Sequence, residues 1–371
     1  MTSFRLPPTE RERLRAALRA HAEQWIKRFY RHEILVARAI RGIQNDASAE
    51  FIKTVAEPII RQVAAGLAGF EQRGQDVLID QSPQLRRLMA QVRQQVQRAV
   101  RELQRTTKAA IKDLVGQETA WVTESAEKVL KLGQVRPVSL PAIEDAVDRR
   151  PYLGGKTEEW FSSLVDGDNG VVDNVRFAVQ TGVQRGLSTD EITRTLRGTK
   201  AGGFEDGLLT GANDNQVRAM VRTAASHASA TARMETFKQL GVDRYQFVAT
   251  LDSRTSIQCA ANDGKTFPLG EGPMPPLHLN CRSTVIPYTG DEPIGNRASV
   301  DGPVPAGTNF REWLEDQPQS IQDEVLGKTR AAAWRAGDLT FEQMVGRDMM
   351  PLSIQQLRDL DRIPNPEDED E

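Results

Sequence analysis

Thiols and imidazoles are scarce in this chain: 371 residues contain two cysteines and four histidines. Two cysteines cannot staple a protein of this size, so its stability has to come from buried apolar cores, and the length allows two or three of them. Apolar runs are short as well. None reaches the roughly 18 residues needed to cross a bilayer, and the mean hydropathy is negative. The opening MTSFRLPPTERERLRAALRAHAEQW has no apolar centre of the kind a secretion signal needs. The expectation is a product of the cytoplasm with no membrane segment, where the thiols stay reduced or hold metal. There is also no His-Glu-x-x-His, no deaminase-type His-x-Glu with a following Cys-x-x-Cys, and no Gly-Lys-Ser/Thr behind the glycine-rich GTKAGGFEDG.

Charge is plentiful and unevenly placed. Residues 1–150 carry 26 Lys/Arg against 18 Asp/Glu, and the remainder carries 22 against 33. A basic first part and an acidic remainder suit self-complementary assembly, a face toward nucleic acid, or plain solvated helix surfaces.

Apolar residues Leu14, Leu18, Ala22, Trp25, Phe29, Val36, Ile40 and Ile43 recur at three- and four-residue steps and predict a helix over 9–44, capped by Thr9 with Glu12. His21 and His32 lie near that stripe and read as structural. Phe51, Val55, Ile59, Val63, Leu67 and Phe70 mark a second helical stretch that Pro58 should kink or split. A third runs from Pro83 through Leu85, Leu88, Val92, Val96, Val100, Leu103, Thr107, Ala110 and Leu114. Its other face carries Arg86, Arg87, Arg93, Arg98, Arg101, Arg105, Lys108 and Lys112, against Glu102 alone between Ser82 and Lys112. Such a row can attract phosphate without reading bases, dock an acidic protein surface, or simply face solvent. It lacks the aromatic interleaving of single-strand binders.

Residues 1–135 thus read as an elongated basic helical bundle or hairpin, and 136–156 as a proline-containing linker. Helices follow at 159–164, at 171–185 with Gly186 as C-cap, and at 188–196 with a Ser188/Glu191 capping box. A loop over 198–213 precedes an alanine- and serine-rich helix over 215–240 closed by Gly241. Tyr245, Phe247 and Val248 then read as a strand. The fold class expected is mostly α with a small α+β part: a bundle, a central helix-strand-loop domain over 157–288 and a short helical module over 309–362. Residues 289–308 form a second linker, and 363–371 an acidic disordered tail.

The strand leads into DSRTSIQCAANDGKTFPLGEGPMPPLHLNCR, residues 252–282, which contains both cysteines and His278. Cys259, His278 and Cys281 can supply three zinc ligands, with Asp252, Asp263 or a water as weaker candidates for a fourth. Three ligands plus water is also the pattern of a catalytic zinc, so a zinc-dependent hydrolase or nuclease using Cys259, His278 and Cys281 is the alternative function. Asp252, Arg254, Thr255, Asp263, Gly264 and Arg282 can instead tie the loop together through charge-assisted hydrogen bonds and a turn.

Arg222-Thr223 in the alanine-rich helix, Asp252-x-Arg254-Thr255-x3-Cys259-x3-Asp263-Gly264, and Pro275-Pro276-x-His278-x2-Cys281-Arg282 together resemble the phage Mu F-like head morphogenesis family, minor head proteins of tailed bacteriophages. The stretch from Phe310-Arg311-Glu312-Trp313-Leu314 to Gly337 is similar to a module that often follows that domain. The resemblance implies a structural virion protein, present in few copies and resident in host cytoplasm during assembly. It would associate with the portal and other head proteins, act in head assembly or in genome packaging and delivery, and carry no catalytic residues. The basic helices would be what faces packaged DNA. Many relatives have cysteine where this chain has Ser256, and Cys-Arg-Cys where it has Cys281-Arg282-Ser283. Two readings of the loop stay open, a zinc site with fewer thiols or a metal-free architectural loop.

Overall fold

The computed structural model describes residues 8–68, 79, 82–130, 135, 137–150, 157–288, 290 and 295–364. Thirteen α-helices are seen among them: α1 (Pro8–Phe51), α2 (Glu57–Leu67), α3 (Pro83–Leu130), α4 (Leu140–Asp148), α5 (Thr157–Asp166), α6 (Val171–Gln184), α7 (Thr189–Arg197), α8 (Asp214–Gln239), α9 (Ile257–Ala260), α10 (Phe310–Glu315), α11 (Gln319–Leu326), α12 (Lys328–Ala336) and α13 (Ile354–Asp359). The strands are β1 (Arg244–Val248), β2 (Thr266–Pro268), β3 (Thr284–Tyr288), β4 (Asn296–Ser299) and β5 (Gly302–Pro305). The chain is therefore mostly helical with small antiparallel sheets, as its patterning indicates. No helix among the described residues is long and apolar enough to cross a membrane.

The chain divides into two compact units, each drawn from separated stretches. One comprises 1–38, 115–149 and 226–371, and the other 39–114 and 150–225.

In the second unit, the apolar line of α3 (Leu85, Leu88, Val92, Val96, Val100 and Leu103) is buried with Val63 of α2, Val175 and Val179 of α6, and Ile192 and Leu196 of α7. Leu114, further along the same line, is also buried. Arg197 grips Glu57 with two hydrogen bonds of 3.2 and 3.0 Å, fastening α7 to α2. The Ser188/Glu191 capping box forms as expected. Two details differ from the pattern. The polar Asn45-Asp46-Ala47-Ser48 does not end α1, because Ser48 donates to Asp214 at 2.5 Å and Gln44 engages Arg218 and Arg222, contacts far apart in sequence. Pro58 neither ends nor isolates the next helix: a π-helical turn at Ile52–Ala56 leads into α2, and Glu57 N–H reaches Ile52 O. Proline has no N–H to give the carbonyl four residues back, and one wider turn takes up that missing bond.

The first unit has a core of Trp25, Ile26, Phe29, Val122, Ala126, Met234, Phe237, Tyr245 and Ile286. Trp25, Phe29 and Phe237 meet edge to face. Within it Arg233 of α8 is fully buried and bonds Glu118 of α3, Glu33 of α1, the Thr284 hydroxyl and Val285 O. His32 stacks on Trp121 at 3.6 Å and bonds Glu118 at 2.8 Å, a structural role as read. β1 is the central strand of a β2-β1-β3 sheet, with Arg244 opposite Tyr288 and Val248 opposite Thr284.

Residues 289–308, read as linker, contain the β4-β5 hairpin, and Leu251 pairs with Ser299 in a parallel bridge. Within 136–156, α4 forms with Ile143 and Ala146 buried. Phe310, Trp313, Leu326 and Phe341 share one core with Leu251, Ile257 and Ala260. Gly327, at φ +75°, separates α11 from α12. α1 begins at Pro8, which places Thr9 in its first turn. The side chains of Leu14, Leu18 and Ala22, along with Phe70 and the acidic residues 365–371, lie outside the described residues.

Candidate functional site

β1 delivers the chain into the 252–282 loop, and two carboxylates brace that loop. Asp252 is held by Arg282 through both guanidinium nitrogens, Nη2 at 2.7 Å, and accepts the Arg254 N–H at 3.0 Å. The Thr255 hydroxyl lies 3.4 Å from Asp252 Oδ1 and bonds Thr250 O at 2.5 Å, while the Thr250 hydroxyl bonds Arg282 O at 3.1 Å. Arg254 supplies its backbone to this brace, and its side chain is exposed.

Asp263 forms the second brace and is the more deeply buried. It accepts Ala249 N–H at 2.6 Å, Phe310 N–H at 2.7 Å, and two bonds from Arg297 at 2.9 and 3.0 Å. Arg297 also donates to Thr308 O and Ala249 O. With both oxygens occupied in this way, Asp263 serves as a structural anion and does not reach the sulfur atoms. Gly264 follows at φ +79°, a conformation that costs a residue with a side chain about 1 kcal/mol or more.

Arg297 is the important residue that sequence reading passed over. It stands in a glycine- and proline-rich stretch, 34 residues from its partner, and no local periodicity marks it.

The two braces leave the three soft ligands together. Cys259 sits on α9, whose cap is Ser256: its hydroxyl accepts Cys259 N–H at 3.4 Å. Cys281 immediately precedes β3's approach, and Ser226 of α8 donates to its carbonyl at 3.5 Å. Both cysteines are reduced and buried against Phe247 and Ala249. The two Sγ atoms lie 3.7 Å apart, Cys259 Sγ lies 3.4 Å from His278 Nε2, and all three ligand atoms are within 4.8 Å of one another. Hydrogen bonding to Cys281, with burial, raises the Cys259 thiol well above its ordinary range, and the bond from Cys259 with the His278 imidazole lowers Cys281 well below it. No carboxylate among the described residues joins this group.

All eight cationic positions on α3 (Arg86, Arg87, Arg93, Arg98, Arg101, Arg105, Lys108 and Lys112) are exposed, on the side opposite the buried apolar line. Arg93 pairs with Asp166 at 3.3 Å and Arg105 with Glu102 at 2.5 Å. Those two carboxylates are themselves exposed, so neither pair removes the positive character of the row.

A mostly helical chain with a three-stranded sheet and a doubly braced Cys/His loop is the class these features define. Residues 173–286 match the family model described as Phage Mu protein F like protein. The match takes in most of α6, α7 and α8, β1 and β2, the start of β3 and the whole loop. An uncharacterized protein of Haemophilus influenzae (strain ATCC 51907 / DSM 11121 / KW20 / Rd) is 22% identical over 191 residues, 50% of this chain and 42% of that protein. The chain thus spans less than half of that relative's length. No solved structure matches.

Proposed function

We propose that this chain is a minor head protein of a tailed phage, acting in head assembly and in packaging or delivery of the genome. The Mu F-like match over residues 173–286 carries the reading. In it the chain docks with portal and other head proteins in the virion, after assembly in the host cytoplasm. The exposed basic row on α3 turns toward packaged DNA, since exposed cations attract phosphate without base recognition.

The zinc-dependent hydrolase is not retained. No carboxylate among the described residues lies with the three ligands, and Asp252 and Asp263, on either side of Cys259, are each clamped by an arginine. Neither is free to act as a general base.

The protein is expected to sediment with procapsids and virions and to be captured by the portal protein in pull-downs. Its absence from both particle types would overturn the reading. The DNA component has its own test. Affinity for duplex DNA should fall steeply with salt, and each of R98E, R101E and R105E should flatten the slope of log K against log salt by about 1. Salt-independent binding, or slopes unchanged in the variants, removes the DNA role and leaves the assembly role standing.

A further inference from the structure

We propose that Cys259, His278 and Cys281 form a structural zinc site with three protein ligands, its fourth position facing the hydroxyls of Ser256 and Ser283. The proposal does not depend on the role in the phage head.

Three observations carry it. The first is spacing. Zinc with bonds of about 2.3 Å to sulfur and 2.0–2.1 Å to nitrogen at tetrahedral angles puts two sulfurs about 3.8 Å apart and sulfur and nitrogen about 3.5 Å apart. The corresponding distances here are 3.7 Å between the sulfurs and 3.4 Å from Cys259 Sγ to His278 Nε2. Two of the three ligand-to-ligand distances thus already match those a bound zinc would impose, and the third lies within 4.8 Å.

The second is the imidazole's orientation. His278 Nδ1 lies 2.7 Å from the carbonyl oxygen of Leu279. A carbonyl can only accept, so Nδ1 carries the hydrogen, and in the neutral ring Nε2 turns its lone pair toward the sulfurs. A backbone carbonyl fixing the far nitrogen is the usual support of a metal-binding histidine.

The third is charge and access. Two thiolates and a neutral imidazole balance a divalent cation, so the filled site would be neutral in the apolar pocket of Phe247, Ala249 and the cysteines. Arg282, the nearest cation in sequence, is committed to Asp252. Ser256 and Ser283 line the small cleft that also contains Cys259 and His278. A water or one of their hydroxyls completes four-coordination there.

Zinc then does for this loop what a disulfide cannot do in a reducing compartment. It clamps α9, which follows β1, to the segment entering β3, and so closes the two ends of the long excursion between those strands.

The test uses the full chain, purified without chelator from cells grown with zinc. Metal analysis should find one zinc per chain, and replacement by cobalt(II) should give the intense visible bands of a tetrahedral site with a thiolate charge-transfer band. C259S and C281S should lose the metal. Because these variants could fail to fold, Ser256→Cys supplies an independent arm. It adds a thiol two residues' spacing before Cys259, so it should slow zinc loss to a chelator and shift the cobalt spectrum toward three sulfurs. A protein that takes up neither metal under reducing conditions overturns the proposal. So does a thiol count showing that Cys259 and Cys281 form a disulfide in the metal-free protein as isolated from the cell, or an S256C variant that holds metal no better than the parent.

Discussion

Replacing Asp263 by asparagine would keep its shape and remove the charge against which Arg297 is buried, at 0% and 5% side-chain exposure. An uncompensated buried guanidinium costs about 3–5 kcal/mol, so D263N should lower the urea midpoint sharply. Asp252→Asn removes a pair whose members keep 13% and 20% of their side chains exposed, and should cost about 1–2 kcal/mol by the same measurement. Equal losses in the two variants would contradict this ranking. The sequence displayed both aspartates and the Gly264 turn, because Asp-x-Arg-Thr and Asp-Gly are local patterns. It did not display which of the two aspartates is the more deeply buried. That choice is made by Arg297 and by the Phe310 N–H, partners far along the chain.

Among the elements, α1, α3 and α8 are joined in the first unit by Glu33, Glu118 and Arg233. Burial raises Glu33 above the ordinary glutamate range. For Glu118 burial acts the same way, but Arg233 and His32 outweigh it and hold the group below that range. The signs are therefore opposite. Between the ordinary value and Glu33's raised one, the folded chain binds more protons, so stability falls as pH climbs through that window. For Glu118 the unfolded chain binds more, so its contribution is lost as pH falls from the ordinary range through its lowered value. E118Q should cost about 3 kcal/mol at neutral pH and flatten the acid limb of a stability profile. E33Q should be nearly neutral there and remove the decline above the ordinary glutamate range. Thermal melts from acid to neutral pH separate the two. The helices themselves were readable, since the apolar line of α3 and the capping box at Ser188 follow from spacing alone. The continuation of α1 through residues 45–48 was not, because tertiary bonds to α8 overrule local polarity there.

At the level of the whole molecule, each unit is assembled from stretches that the other interrupts. The 173–286 segment matched by the family contains only part of either core: Val63 to Leu103 of one and Trp25 to Leu130 of the other lie outside it. Expressed alone, that segment should give the far-UV signal of fluctuating helices, bind hydrophobic dye and melt without cooperativity. A sharp thermal transition from the isolated segment would refute this. The interleaving also orders events at the ribosome. Trp25, Ile26 and Phe29 emerge first, yet their partners Phe237, Tyr245 and Ile286 leave the exit tunnel only after some two hundred further residues. An apolar helical face waits with only Val122, Ala126 and their neighbours on α3 to cover it until those partners appear, a window in which chaperones compete with premature self-association. Nonsense changes that remove Phe237, Tyr245 and Ile286 would for the same reason be felt in α1, translated some two hundred residues earlier.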